Sequence, residues 1–284
     1  MGSNLVFQED QELGRLSIQS RMLWSYEQPV IHQLLGDKGG ARVLDVGCND
    51  GDKTARWFSG PAFEQVIGLE YLEDMARLAQ EKHGSDRLRF YRMDVEADSF
   101  AQDLQQVMQA EQVEEFDLIY LSFVLMHLSK PEQVLAALRP FLAPGGHIMI
   151  LDTHDQGTDV AGEADPLVDE FLETPEDDPF AGKRNFALEL QDMLVHCGCD
   201  QVQSVSDRVE HGPGHLEEKE IMFECFFSYL SEEVRLLREQ EPENETYIAW
   251  ERWLQQHYET LRRAYIREDS TATVGCSILT GMEG

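Results

Sequence analysis

Cationic residues are scarce in this chain of 284 residues. Lys and Arg number 23 against 54 Asp and Glu, which gives a formal net charge of −31 at pH 7. A field of this sign repels phosphate backbones and anionic lipid surfaces, so binding to nucleic acid or to a membrane is disfavoured. Only six of the 23 cations are lysines. An acid-rich, lysine-poor surface also suits concentrated salt, which is a second explanation of the charge.

Long apolar runs and a cysteine framework are also missing. No stretch approaches the roughly 18 consecutive apolar residues of a membrane span. Glu9, Asp10, Glu12 and Arg15 interrupt the region where a secretory signal peptide has its apolar segment. The five cysteines are odd in number and lack framework spacing, which favours free thiols in a reducing compartment. We therefore expect a cytoplasmic protein, and the sequence leaves its oligomeric state unknown.

Apolar runs and amphipathic segments alternate between Arg42 and Ile150 at a spacing that suits βαβ units. This pattern predicts an α/β fold with a doubly wound, mostly parallel, seven-stranded sheet. The predicted strands are Arg42–Val46, Gln65–Glu70, Leu88–Met93, Phe116–Leu121, His147–Asp152, Gln201–Val209 and Ala272–Thr280. The predicted helices around them are Lys53–Phe58, Leu72–Lys82, Phe100–Ala110, Pro131–Leu142 and Asn185–Cys197.

The flanking segments predict helical caps around this core. We expect residues 1–38 to form an N-terminal helical cap, 39–212 the core, 213–268 a helical insertion or lid, and 269–284 the final strand of the core. The acidic stretch Gln156–Lys183, with its glycines and prolines, predicts a mobile loop.

The strongest local motif is Val43–Gly51, in which an apolar strand ends in an acid and a glycine turn opens a helix. Gly47 lets the backbone approach a ligand, Asn49 tolerates a positive φ, and Gly51 allows tight packing at the helix start. A glycine loop also occurs in dinucleotide-binding enzymes, which cradle a pyrophosphate with three glycines in G-x-G-x-x-G. Here the carboxylate of Asp45 repels a pyrophosphate and suits a cationic ligand.

Two further acids end the next two predicted strands. Glu70 lies nineteen residues after Gly51, where a carboxylate can chelate the two hydroxyls of a ribose. Tyr71 follows and is placed to flank a base. Asp94 can accept a hydrogen bond from an exocyclic amine such as adenine N6, and Val95 adds an apolar neighbour. Three acids thus end three successive strands.

With these motifs the chain resembles the class I S-adenosylmethionine-dependent methyltransferases from Arg42 to about Thr153. The segments Phe116–Leu128 and Leu142–Gly146 resemble the fourth strand of that family and a later turn. The resemblance implies a Rossmann-like fold and S-adenosyl-L-methionine as cofactor, with the glycine loop on its methionyl part. The cofactor contacts that it implies are Asp45, Gly47, Cys48, Asn49, Gly51, Glu70, Tyr71, Asp94, Val95 and Ser122.

The implied reaction is transfer of a methyl group to an N or O atom of a small-molecule acceptor. Such a transfer depends on alignment of donor and acceptor more than on a dedicated base. The helical caps and the negative charge favour a small molecule as the substrate. Two alternatives stay open: a methyltransferase for a protein or tRNA, and a regulatory protein that binds the cofactor without transferring its methyl group.

Two histidines are candidate catalytic residues, because each follows a strand at the carboxyl edge of the sheet. His127 follows the fourth strand and His154 the fifth. A structural role for His127 and ordinary loop polarity for His154 are the alternative interpretations. We expect the first helices, the loop Asp152–Asp155 and the insertion to wall the substrate pocket, with His154 as the first candidate for a polar contact to the substrate and Tyr229 as the second.

Two other clusters are weaker candidates for a functional site. His196-Cys197-Gly198-Cys199 holds zinc-type ligands, but its spacing is not that of a zinc site, and we expect no bound metal. The aromatic residues of the insertion can form either a cage for a cation or the core of a helical pair, and the core is favoured. They are Phe223, Phe226, Phe227, Tyr229, Trp250, Trp253 and Tyr258.

Overall fold

The computed structural model describes residues 10–36, 39–160, 166–173, 183 and 185–283. The strands are β1 (Ala41–Val46), β2 (Phe63–Glu70), β3 (Leu88–Arg92), β4 (Phe116–Ser122), β5 (Leu142–Thr153), β6 (Asp159–Val160), β7 (Asp200–Ser206), β8 (Val209–His211), β9 (Ala272–Val274) and β10 (Cys276–Met282). The helices are α1 (Asp10–Leu35), α2 (Asp52–Phe58), α3 (Glu73–His83), α4 (Phe100–Ala110), α5 (Pro131–Leu138), α6 (Pro166–Glu173), α7 (Leu190–His196), α8 (Leu216–Phe226), α9 (Tyr229–Gln240) and α10 (Glu245–Tyr265).

The chain divides into two compact units. The sheet unit comprises the described residues within Trp24–Thr153, Asn185–Asp207 and Ser277–Gly284. The helical unit comprises those within Met1–Leu23, His154–Arg184 and Arg208–Cys276. The division falls inside α1, so this helix contributes residues to both units. The four-part domain organisation expected from the sequence stays a prediction.

The sheet unit contains a seven-stranded sheet in the order β3-β2-β1-β4-β5-β10-β7. Parallel pairing joins β1 to both β2 and β4, β2 to β3, and β4 to β5, whereas β7 and β10 are antiparallel. The strand order reverses between β1 and β4, and a crevice for ligands forms at such a point beyond the carboxyl ends of the strands. The predicted doubly wound, mostly parallel sheet is confirmed.

Helices pack on both faces of this sheet because its central strands are apolar on both sides. On one face, α4, α5 and α7 pack against β1 and β4 through a single buried cluster that includes Leu44, Leu104, Ile119, Leu135 and Leu190. On the other face, the ring of Tyr120 meets that of Phe58 from α2 with centroids 5.5 Å apart. Alternation along β1 and β4 thus sends successive side chains to opposite helical layers.

The helical unit contains α6, α8, α9 and α10 and a small antiparallel sheet in the order β6-β9-β8. Its core is aromatic: Phe223 and Phe227 stack with centroids 5.0 Å apart, and Phe171 and Tyr265 pack against Phe227. The expectation that the insertion's aromatic residues form mostly core is confirmed for Phe223 and Phe227, which are buried. No helix in the described parts of the chain has the length and apolarity needed to cross a membrane.

The structure corrects several predicted boundaries. Ala272–Thr280, predicted as one strand, divides at Gly275 between β9 of the small sheet and β10 of the large one. Gln201–Val209 likewise contributes to β7 and β8, which lie in different sheets. Part of Gln156–Lys183, predicted as a loop, forms β6 and α6, while 161–165 and 174–182 lie outside the described residues. The insertion holds three helices rather than a pair.

Candidate active site

The loop after β1 has the backbone conformation that its sequence predicts. Gly47, Asn49 and Gly51 have φ values of 75°, 48° and 76°, in the left-handed region. A Cβ atom at Gly47 would lie 2.5 Å from a methyl carbon of Val124, and one at Gly51 would lie 2.8 Å from the ring of Phe90. The loop is therefore pressed against its neighbours so closely that only glycine fits at these two positions.

Glu70, the last residue of β2, is held by the loops on either side of it. Its Oε2 accepts the backbone N–H of Asn49 at 2.9 Å, and its Oε1 accepts that of Leu72 at 2.8 Å. Burial raises the pKa of the Glu70 carboxyl. Each carboxylate oxygen has a further lone pair, so this side chain can accept two hydroxyl donors without losing its backbone contacts.

Asp94 and Tyr71 lie after β3 and β2 at the same edge of the sheet. Asp94 is half-buried, and its Oδ1 accepts the backbone N–H of Glu96 at 3.0 Å. Tyr71 is 50% exposed, with the guanidinium of Arg92 5.6 Å from its ring centroid. Val95 is also half-buried. An exposed ring at the same edge of the sheet as an oriented carboxylate can stack on a base whose amine is hydrogen-bonded to that carboxylate.

Asp45 and Cys48 support the loop from within the sheet unit. The buried Asp45 carboxylate accepts the hydroxyl of Thr54 at 2.6 Å, and burial raises its pKa to about 6. Cys48 is also buried, and a Cβ at Gly68 would lie 3.0 Å from its Sγ. Burial raises the pKa of the Cys48 thiol, which makes it a weak nucleophile. Direct cofactor contacts of these two side chains stay predictions.

The end of β4 is strained where it passes the loop. Phe123 follows Ser122 and has a φ of 54°, which is rare for a bulky residue. Its backbone N–H donates to the carbonyl of Leu151 at 2.8 Å, which fixes this conformation. Strain of this kind persists where the surroundings impose it, and it concentrates at ligand sites.

Sequence reasoning missed a buried charged cluster beside Ser122. Glu27 of α1 is 0% exposed and accepts hydrogen bonds from Lys53 Nζ and Trp57 Nε1, both at 2.8 Å, and from the hydroxyl of Tyr120. Lys53 Nζ also donates to Ser122 Oγ at 2.6 Å. The sequence carried no signal for this cluster, because nothing distinguishes Glu27 from the other two acids of α1 and its partners are distant along the chain.

The two candidate histidines lie in different units. His127 is exposed in the short turn Leu125–His127 after β4, in the sheet unit. His154 belongs to the helical unit and is 7% exposed. Its imidazole packs between two glycines, since a Cβ at Gly157 would lie 2.8 Å from its Cε1 and one at Gly275 would lie 2.9 Å from its Nδ1.

A third titratable group, Asp152, lies near the end of β5 in the sheet unit. It is buried, and its two oxygens accept the backbone N–H groups of Met126 and Thr153 at 3.2 and 3.0 Å. Burial raises its pKa to about 7. Its carboxylate thus ties the turn after β4 to the end of β5.

Comparison with known proteins decides the family. Residues 21–187, more than half of the chain, match the methyltransferase domain family. The chain belongs to the class I S-adenosylmethionine-dependent methyltransferases. The residues present are compatible with that cofactor: the loop has the left-handed backbone at Gly47, Asn49 and Gly51, and the Glu70 carboxylate, oriented by two backbone N–H groups, has lone pairs for hydroxyl donors.

Individual relatives share less than the whole chain. The methyltransferase GfsG of Streptomyces halstedii is 28% identical over 129 residues, which are 45% of this chain and 43% of that protein. The juvenile hormone acid O-methyltransferase of Bombyx mori is 28% identical over 116 residues, 40% of this chain and 38% of that protein. The chain therefore aligns with less than half of the length of these curated relatives.

Solved structures show the same fold at low sequence identity. The cyclase SpnF superimposes with a TM-score of 0.52 at 18% identity, covering 91% of this chain and 80% of that one. Since that neighbour is described as a cyclase, the fold alone does not define the reaction.

Proposed function

We propose that this chain transfers the methyl group of S-adenosyl-L-methionine to an N or O atom of a small-molecule acceptor. The observation that carries the proposal is the row of acids at the carboxyl ends of three adjacent strands. Asp45 precedes the loop after β1, Glu70 ends β2 and Asp94 follows β3. A cationic ligand with a ribose and an adenine requires acceptors in such a row.

The strand order supports one direction for the cofactor along this edge of the sheet. Asp94 and Val95 bind the adenine beside β3, Glu70 binds the ribose hydroxyls beside β2, and the loop 45–51 binds the methionyl part beside β1. When bound, the cofactor supplies an electrophilic methyl group on a sulfonium. The chain's own contribution is to hold donor and acceptor in line and to exclude water.

A small molecule is the favoured acceptor because of charge. With a net charge of −31, the chain repels the phosphates of tRNA. His154 stays the first candidate for a polar contact to the acceptor, because it directly follows β5 in the sequence. An imidazole can also take the proton that an N–H or O–H acceptor releases on methylation. His127, which is exposed, is the second candidate for that role.

Isothermal titration calorimetry with S-adenosylmethionine and S-adenosylhomocysteine tests the cofactor site. We expect both to bind, and Glu70→Ala to weaken both by at least 100-fold, because two hydroxyl contacts and the support of the loop are lost together. Glu73→Ala, on the exposed first turn of α3, is the matched control and leaves binding unchanged. No heat from either ligand with folded protein would overturn the assignment.

The acceptor class is tested by incubating the enzyme and radiolabelled S-adenosylmethionine with fractions of a cell extract. We expect label in the small-molecule fraction and weaker transfer by His154→Ala. Label in tRNA or protein instead, or submicromolar, salt-sensitive tRNA binding on filters, would favour the macromolecular alternative. Cofactor binding without transfer to any fraction would favour the regulatory alternative.

A further inference from the structure

We propose that Lys53 binds the carboxylate of the cofactor's methionyl part. The inference rests on the cofactor placement given above, in which the adenine lies beside β3 and the methionyl part beside β1. Beyond β1 the next strand is β4, and Lys53 Nζ lies 2.6 Å from the hydroxyl of Ser122, the last residue of β4. The ammonium is thus located at the end of the site where the methionyl chain terminates.

The ammonium has one donor left for a ligand. It carries three N–H groups. Among the described residues it has two hydrogen-bond acceptors, Glu27 Oε1 at 2.8 Å and Ser122 Oγ. Three rings, of Trp57, Tyr120 and Phe123, lie 5.3 to 5.9 Å from Nζ and confine it without accepting an ordinary hydrogen bond. The side chain is 19% exposed, so its third donor remains accessible to a ligand.

The charge around the loop makes such a group necessary. Asp45, Asp50 and Glu70 lie on or beside the loop, and all three repel a carboxylate that enters the site. Lys82 offsets one of these charges, since its Nζ lies 3.1 Å from Asp50, but it is 44% exposed. Lys53 is largely shielded from water, so its attraction for a carboxylate is screened much less.

Glu27 holds the Lys53 ammonium in place and leaves it able to bind a second carboxylate. Its carboxylate is shared among three donors, because Trp57 and Tyr120 also donate to it. A lysine ammonium can bridge two carboxylates as a point charge with separate donors. The cluster therefore resembles a preorganised anion site whose positive charge is fixed before the ligand binds, which lowers the entropy lost on binding.

The test compares S-adenosylmethionine with decarboxylated S-adenosylmethionine, which retains the amine and lacks the carboxylate. Both are titrated by calorimetry into the full chain and its Lys53→Met variant. We expect Lys53→Met to lower the affinity for S-adenosylmethionine by about 10- to 100-fold relative to the affinity for the decarboxylated analogue. This is the range of one charge-assisted hydrogen bond. The variant loses one positive charge, so the decarboxylated analogue, with its extra net positive charge, should bind as well as before or better.

Lys82→Met is the matched control, because it removes the same charge beside the same loop. It should change the ratio of the two affinities by less than twofold. An equal loss for both ligands in Lys53→Met, or no loss for either, would overturn the proposal. If that variant does not fold, Lys53→Gln retains amide donors for Glu27 and Ser122 and must show the same selective loss. Absence of binding by the unaltered protein would instead overturn the cofactor placement itself.

Discussion

The two halves of α1 each carry a buried ion pair, and the two pairs are built differently. In the helical unit, Arg15 forms two hydrogen bonds with Glu12, one turn away in the same helix, and donates to the carbonyl of Cys225. In the sheet unit, Glu27 and Lys53 are 26 residues apart and belong to different elements. The first pair can form with the helix itself, whereas the second requires the folded sheet. The first therefore serves stability, and the second serves stability and binding together.

The acidic residues of the two units differ in a related way. In the sheet unit, burial raises the pKa values of Asp45 and Asp152. In the helical unit, hydrogen bonds from arginines lower the pKa values of the half-buried Glu232 and the exposed Asp269. Buried acids that resist ionisation cost stability near neutral pH. Both lie near the carboxyl edge of the sheet, beside the proposed cofactor site.

The largest effect is expected from removing Glu27. Glu27→Ala leaves Lys53 without its buried counter-ion and leaves the donors of Trp57 and Tyr120 unpaired. Breaking a buried pair in this way lowers the free energy of unfolding by about 3–5 kcal/mol. Urea unfolding followed by tryptophan fluorescence measures the loss, and Glu27→Gln, which keeps an acceptor, should lose less. A loss below 1 kcal/mol would show that the cluster does not hold α1 to the sheet.

Sequence patterns were sufficient for the parts of the fold that depend on local spacing. Helix α4 has the predicted bounds, because Phe100, Leu104 and Met108 recur every four residues and all three are buried. The positive φ of Asn49 was also expected from its residue type and position. The strand-end acids were found because parallel strands end at one edge, so position along the chain indicates position in the sheet.

Long-range contacts explain what the sequence did not reveal. The strand predicted over Ala272–Thr280 breaks at Gly275, where the backbone of His154 approaches so closely that a Cβ atom would lie 1.9 Å from its carbonyl oxygen. That partner is more than a hundred residues away. Helix α6 did leave a local signal, since Val168 and Phe171 are three residues apart and buried. The acidic residues and prolines around this pair nevertheless favour a loop in the sequence-based prediction.

The second effect is the pH dependence of the free energy of unfolding, to which buried acids with raised pKa values contribute differently from exposed ones. The folded pKa of Asp152, about 7, lies above the value near 4 of an unfolded aspartate. The folded state therefore binds more protons between about pH 4 and 7, and the stability due to this group is lost as the pH rises through that range. From pH 5 to pH 8 we expect Asp152 to reduce the free energy of unfolding by an amount of the order of 3 kcal/mol.

Asp152→Asn removes this titration but supplies one acceptor oxygen where the carboxylate supplies two, to Met126 and Thr153. Because the amide is neutral at both pH values, the variant should gain stability relative to the unaltered protein between pH 5 and pH 8. Urea unfolding at the two pH values measures the change. A difference between the two proteins that is the same at both pH values would contradict the assignment.

A smaller effect is expected from the ion pair in the helical unit. Arg15→Met retains the apolar stem of the side chain and leaves Glu12 without its partner, so the free energy of unfolding should fall by about 2 kcal/mol. Affinity for S-adenosylhomocysteine should change by less than twofold, because this pair contacts no proposed cofactor residue. A larger loss of affinity would show that the pair in the helical unit also contributes to binding, so that the two pairs do not differ in function as proposed.

The smallest effect is expected at Ser122, and it determines whether this residue supports Lys53 or contacts the cofactor itself. In Ser122→Ala the ammonium of Lys53 keeps its contact with Glu27 and loses one neutral acceptor. A single hydrogen bond of this kind contributes roughly 1 kcal/mol or less, so we expect a two- to fivefold loss of S-adenosylmethionine affinity by calorimetry. The loss should shrink for the decarboxylated analogue, because the hydroxyl acts by aiming the lysine at the carboxylate. A loss above 20-fold, equal for both ligands, would show that Ser122 binds the cofactor directly, as the family resemblance predicts. The sheet-unit cluster would then support binding through two separate side chains.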